Sequence, residues 1–320
     1  MRILFITFTN IGDVVLSTAL LERVLADYPD ATVDIVAGAA SLSLFEGLPQ
    51  KGELIPLVKK KHHMHYIDLY NKLKDVDYDI ILDLRTPLLR YFLKGKQKIG
   101  YTPVSGKHKA EQFAGLWKND RDIRLKCWVK PEIESKIAEF CPPDRLLIAI
   151  APTANWIGKQ WPQAAFTSLD LGHIKGLENA LFIVLGAAHE HNTVKDFIKT
   201  LPQDRTKDLV GRTSLPEAYS WLKKADLFIG NDSGLAHLAA SAQTPTLTLF
   251  GPTNEKLYAP FVHNCRIISP EARKKSELNL EEVAVPRLMT DISTKEVVSA
   301  IELMVQNIEN TNKLKESAAC

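Results

Sequence analysis

The residues of this chain that can do chemistry fall at a few polar turns, each following a short apolar run. The stretch Ala225 to Pro252, ADLFIGNDSGLAHLAASAQTPTLTLFGP, shows the pattern most fully. Leu227 to Ile229 and Leu247 to Phe250 are apolar runs. Between them Asp232, Ser233 and Gly234 make a turn, and Leu235, Leu238, Ala239 and Ala242 recur at helical spacing. Strand, crossover helix and strand imply a parallel βαβ unit. The turn then lies at the carboxyl end of a strand, where open α/β sheets bind ligands. Asp232 or Ser233 can cap the helix, or the free amides can hold an anion such as phosphate. His237, one turn further on, can face that crevice or sit in the core.

Other candidates occupy comparable places. Asp13 is the first carboxylate after the first apolar run, at the start of a helix. It serves either as a stabiliser of the helix dipole, worth roughly 0.3–1 kcal/mol, or as a general base. Thr153 and Lys159 follow the run Leu146 to Ile150, and a lysine beside a helix N-terminus can neutralise phosphate. Glu190 follows ALFIVL, where a carboxylate can accept hydrogen bonds from ribose hydroxyls or simply cap the next helix. Arg85 ends YDIILDLR. Two basic runs, Lys59 to His63 and Lys94 to Lys98, are either solvated loops or a platform for an anionic substrate or membrane surface. No His, Cys, Asp or Glu cluster has metal-ligand spacing, so no tightly held metal is expected. Gly-x-Ser-x-Gly is absent, which argues against a hydrolase elbow.

The elements that must position these residues alternate between strand and helix. Strands are expected over Arg2 to Phe8, Thr32 to Ala37, Tyr78 to Leu84, Lys98 to Tyr101, Leu146 to Ile150, Ala180 to Leu185, the two runs of the 225–252 stretch, and Cys265 to Ile268. Helices are expected over Val14 to Leu25, Leu88 to Leu93, Pro131 to Phe140, His191 to Thr200, Leu215 to Lys224 and Thr294 to Ile308. The first turn holds one glycine rather than the three of a dinucleotide fingerprint, which lowers the case for an NAD enzyme. Ser105 to Lys126 is polar and reads as a mobile loop over a cleft. Glu271 to Val285 reads as irregular, and Asn310 to Cys320 as a frayed tail. Cys141-Pro142-Pro143-Asp144-Arg145 is the best linker.

At 320 residues two domains are the natural expectation. The net charge of +2 is too small to argue for nucleic acid. No run approaches the ~20 apolar residues of a membrane span. The opening apolar run is interrupted from Thr9 to Asp13, too early for a signal-peptide core. Four scattered cysteines fit a reducing cytoplasm.

Five pieces together resemble the ADP-heptose:lipopolysaccharide heptosyltransferase family, glycosyltransferase family 9. They are RILFITFTNIGDVVLSTAL, YDIILDLR, APT followed by KQWP, LGAAHE, and NDSGLAHLAASAQTPTLTLFGPT, in the family's order from residue 2 to about 253. The resemblance implies an α/β fold of the GT-B type, with two Rossmann-like domains whose parallel sheets face a central cleft. Residues 1–143 would form the acceptor domain and 144–293 the nucleotide-sugar domain, with the helix 294–308 packing back on the first. It implies an inverting transferase with no cofactor and no metal at the site, using an ADP-linked donor. Asp13 matches the general base. Thr153, Lys159, Glu190, Asp232, Ser233, Gly234 and His237 match the donor site, with Glu190 on the ribose, Asp232 on the sugar and Lys159 on phosphate. Arg85 and Lys60 are the acceptor-side candidates. The partners expected are a nucleotide sugar and a lipid-linked or phosphorylated glycan, not nucleic acid. The location expected is the cytoplasm, with peripheral contact at the inner membrane. A sugar-nucleotide epimerase and a non-catalytic sugar-nucleotide-binding protein are the alternatives.

Overall fold

Runs such as Ile3 to Ile6 or Ile148 to Ile150 contain no polar residue, and so must be covered on both sides. In the computed structural model they are inner strands of two all-parallel sheets, the arrangement in which both faces are buried. The structure describes residues 1–86, 88–119, 121–141, 144–270 and 289–319. The chain divides into two units, Met1–Glu134 and Ser135–Cys320. This division falls within the helix Pro131–Ala138, ahead of the expected linker, whose Pro142 and Pro143 lie outside the described residues.

The first unit contains β1 (Arg2–Ile6), β2 (Thr32–Ala37), β3 (Lys51–Pro56), β4 (Tyr78–Asp83) and β5 (Gly95–Gly100). Their order across the sheet is β3-β2-β1-β4-β5. The chain moves outward from β1 through β2 and β3, then returns to β1's other side with β4. The reversal makes β1–β4 the switch point, with Ile6 opposite Asp83.

The second unit contains β6 (Leu147–Ala151), β7 (Leu181–Val184), β8 (Thr206–Asp208), β9 (Leu227–Asn231), β10 (Thr246–Leu249) and β11 (Cys265–Ile268), in the order β11-β10-β9-β6-β7-β8. Its switch point is β6–β9, where Ala151 pairs with Gly230. The strands approach so closely there that a Cβ on Gly230 would lie 2.6 Å from the Ala151 carbonyl oxygen.

Three expectations change. The basic run Lys94 to Lys98 is neither loop nor platform alone: most of it is the edge strand β5, paired with β4 on one side. Edge strands tolerate polar residues because one side stays open to water. The segment 105–126 is tied down. Its helix Lys109–Ala114 buries Phe113 against the rings of Phe8 and Tyr101, at 5.5 and 4.9 Å. Trp117 Nε1 donates to Asp27 Oδ2 at 2.7 Å, a bond that holds the Asp27 carboxyl below its ordinary value. Finally, the last helix runs Thr294–Ala319, past the expected fraying point. Its Val297, Ala300, Ile301, Met304 and Val305 belong to the apolar core of the second unit, together with Trp161, Phe166 and Phe182. The resemblance had placed this helix on the first domain, but its apolar stripe fills the second unit's core. The expected irregular segment, residues 271–285, lies outside the described residues.

Candidate active site

In the second unit, the turns that leave β6 and β9 meet at the switch point. Asn231, the last residue of β9, is fully buried, and its Oδ1 accepts from the Trp161 amide at 3.0 Å. Trp161 itself is buried, edge-on to Phe166, and donates from Nε1 to the Ile292 carbonyl. Gln160 and Gln163 donate back to the carbonyls of Ala154 and Pro152. These bonds hold the turn carrying Lys159 against the end of β9. Lys159 Nζ then lies 2.7 Å from Asp232 Oδ2, in a pair with only 23% and 3% of the side chains exposed. His237 Nε2 stands 3.9 Å from Asp232 Oδ1, too far for a hydrogen bond but close enough to feel its charge.

The helix Gly234–Ser241 begins beside this pair. Ser233 is its N-cap residue by backbone conformation, yet its side chain makes no capping hydrogen bond, and its buried Oγ has no partner among the described residues. Of the two readings left open by the sequence, side-chain capping by Ser233 is therefore not what the structure shows. The first amides of the helix point toward the turn without it.

Thr153 and Glu190 border the same glycine. A Cβ on Gly186 would lie 3.1 Å from Glu190 Oε2 and 3.7 Å from Thr153 Oγ1. They leave β6 and β7, neighbours in the sheet. Glu190 Oε2 also accepts from the Ala187 amide at 2.6 Å, so it closes its own turn. All seven donor-side candidates thus sit at the ends of β6, β7 and β9, three consecutive strands.

The first unit has its own polar switch point. Asp13 is partly buried in the first turn of the helix Ile11–Asp27, and Asn10 Nδ2 donates to its Oδ2 at 3.3 Å. From β4, Arg85 Nη1 reaches Thr9 Oγ1 at 3.4 Å, so the β1 and β4 turns touch. The residue that arranges this contact is Asp83, which the sequence reading left inside a strand. Its Oδ1 accepts from the amides of Arg85 and Thr86, at 3.1 and 2.7 Å, and its Oδ2 from the Thr86 hydroxyl. Burial raises the Asp83 pKa above the ordinary carboxylate value, and the Thr86 and Arg85 bonds offset this only in part. A polar residue ending an apolar run, with a threonine three positions on, was the available signal. Lys60 is not brought to this place. It follows the edge strand β3, is exposed, and pairs with Asp68 at 2.7 Å.

Two Rossmann-like units, each with a parallel sheet and a polar switch point, give the architecture of the GT-B class. The comparisons agree. Residues 129–285 match the model for Glycosyltransferase family 9 (heptosyltransferase). Lipopolysaccharide heptosyltransferase 2 of Salmonella typhimurium is 23% identical over 314 residues, covering 84% of this chain and 88% of that protein. The structure of E. coli ADP-heptose lps heptosyltransferase II superposes with a TM-score of 0.74 at 20% identity, over 97% of this chain and all of the other. E. coli heptosyltransferase WaaC, solved with ADP, gives 0.73 at 16% identity, over 95% of this chain and 100% of that one. The chain resembles glycosyltransferase family 9 over residues 129–285 and is a glycosyltransferase; with heptosyltransferases as its relatives, the epimerase and non-catalytic alternatives are not favoured.

Proposed function

We propose that this enzyme transfers heptose from ADP-heptose to the lipopolysaccharide core, with inversion at the anomeric carbon. The observation that carries the reading is the partly buried Lys159 paired with the buried Asp232, beside a helix start that Ser233 does not cap, at the β6–β9 switch point. An ammonium has three donors, so Lys159 can keep Asp232 and still donate to a diphosphate oxygen. The leaving diphosphate gains negative charge as the glycosidic bond breaks, and Lys159, the Ser233–Gly234 amides and His237 are aimed at that charge. In this reading they supply the stabilisation, and no metal or other cofactor is called on. Glu190 and Thr153 take the ribose and phosphate side, and Asp232 the sugar hydroxyls. Asp13 removes the proton of the acceptor hydroxyl as it attacks an oxocarbenium-like centre. Arg85 binds the acceptor, a lipid-linked or phosphorylated glycan, and Lys60 belongs to a more distant part of the same acceptor surface. The enzyme works in the cytoplasm at the inner membrane face.

A donor panel tests the reading. Ligands that bind only the folded chain raise its melting temperature. ADP and ADP-heptose should protect, UDP- and GDP-sugars should not, and truncated lipopolysaccharide should gain heptose. Protection by UDP-sugars alone, or donor isomerisation without glycan product, would overturn it.

A further inference from the structure

The first unit has an apolar surface that its core does not use. Helices Met64–Leu73 and Leu89–Phe92 lie beside one another and bury Leu69, Leu73 and Leu89 in one cluster with residues of β1, β2 and β4. Their outward positions are also apolar. Met64, Ile67, Leu88, Tyr91 and Phe92 are 45–67% exposed. Isolated exposed apolar residues need no explanation, but five on two adjoining short elements form a patch of the kind that marks an interaction site.

The rim of this patch is basic. Lys59 and Lys61 precede the first helix, and Lys94 follows the second; all three are exposed. Arg90 stacks its guanidinium over the Tyr91 ring at 4.5 Å, and Lys98 Nζ donates to the Tyr91 carbonyl at 3.3 Å. The nearby carboxylate of Asp68 is already paired with Lys60.

We propose that this face docks on an anionic lipid bilayer. Tyr91, Phe92 and Leu88 enter the headgroup boundary, and the surrounding lysines meet the lipid phosphates. Neither signal alone gives stable attachment, but an apolar insertion and a basic rim together do. Charge selects the bilayer over a second copy of the chain, because two such rims would repel. The patch begins three residues after Arg85, so docking presents a membrane-borne acceptor next to the β1–β4 turns. This names the surface behind the membrane-face location given above and rests on that reading only for the acceptor.

The test is co-sedimentation of the full chain with vesicles of phosphatidylglycerol and phosphatidylethanolamine, against vesicles of phosphatidylcholine alone. The chain should bind the anionic vesicles. The double variant Tyr91→Ser/Phe92→Ser should lower the partition coefficient about tenfold or more, and Lys59→Glu/Lys61→Glu several-fold, with a loss that shrinks at high salt. ADP binding and transfer to a detergent-free, water-soluble acceptor should be unchanged in both variants. Equal binding to neutral vesicles, full binding by the variants, or loss of a dimer in place of loss of vesicle binding would each overturn the proposal. Failure of transfer with vesicle binding intact would strike at the enzymatic reading instead.

Discussion

At the β6–β9 switch point of the second unit a partly buried lysine is paired with a buried carboxylate, whereas at the β1–β4 switch point of the first Asp13 and Arg85 are only partly covered. Lys159 and Asp232 are locked together at 2.7 Å by a turn whose backbone is fastened to Asn231. Asp13 has a longer contact with the exposed Asn10 side chain, and Arg85 reaches Thr9 at 3.4 Å. A rigid, desolvated arrangement suits a ligand group of constant shape and charge, such as a diphosphate. A carboxylate that must accept a proton from a changing partner needs access. The same sheet topology thus hosts two kinds of polar end, and we assign donor binding to one and proton removal to the other.

That assignment can be broken by separating binding from turnover. The largest effect is expected for Asp13→Asn, which should reduce kcat by roughly 10²–10⁴, the range for a positioned general base. If kcat falls less than tenfold, Asp13 is a helix-start residue and the comparison collapses. Lys159→Ala comes next. It removes a charge-assisted contact of about 1.5–3 kcal/mol, so ADP should bind some ten- to a hundredfold more weakly in titration calorimetry. It also strands Asp232, so the melting temperature should drop, and Lys159→Arg should recover part of both. Asp83→Asn should have the smallest effect. Burial makes the folded chain hold this proton more tightly than the unfolded chain does, so ionised Asp83 lowers stability as pH climbs past the ordinary value of 3.8. The asparagine keeps an acceptor for the Arg85 and Thr86 amides. Chemical denaturation between about pH 4 and 7 should therefore show a flatter stability profile for the variant. A profile that parallels the parent chain would mean that Asp83 contributes nothing to the pH dependence.

Much of the fold could be read from the chain because parallel strands buried on both faces leave an unmistakable signature. RILFI, YDIILD and LIAIA each carry an unbroken apolar stretch, and each is an inner strand. Of the edge strand β5, GKQKIG, only the end from Lys98 was legible, since one side faces water and the lysines before it look like a loop. The 105–126 segment hid its anchoring in a few residues, Phe113 and Trp117 among them, scattered through polar sequence. The last helix was located correctly at its start, but nothing local says which core an apolar stripe will fill. At the candidate site, strand ends and turns were legible, so Thr153, Glu190 and Asp232 could be placed on neighbouring strands. The Lys159–Asp232 pair was not, because it depends on how two turns far apart in sequence are held together. Asp83 was missed for a related reason. Two of its partners are backbone amides of its own turn, which no pattern of side-chain types displays, and only the Thr86 hydroxyl left a trace in the sequence.

The central claim is that the second unit holds the donor and the first does not. Titration of ADP into Asp13→Asn and Lys159→Ala, side by side with the parent chain, tests it most directly. The account predicts an unchanged dissociation constant for Asp13→Asn and a rise of at least about tenfold for Lys159→Ala. An equal weakening of ADP binding in both variants would contradict it.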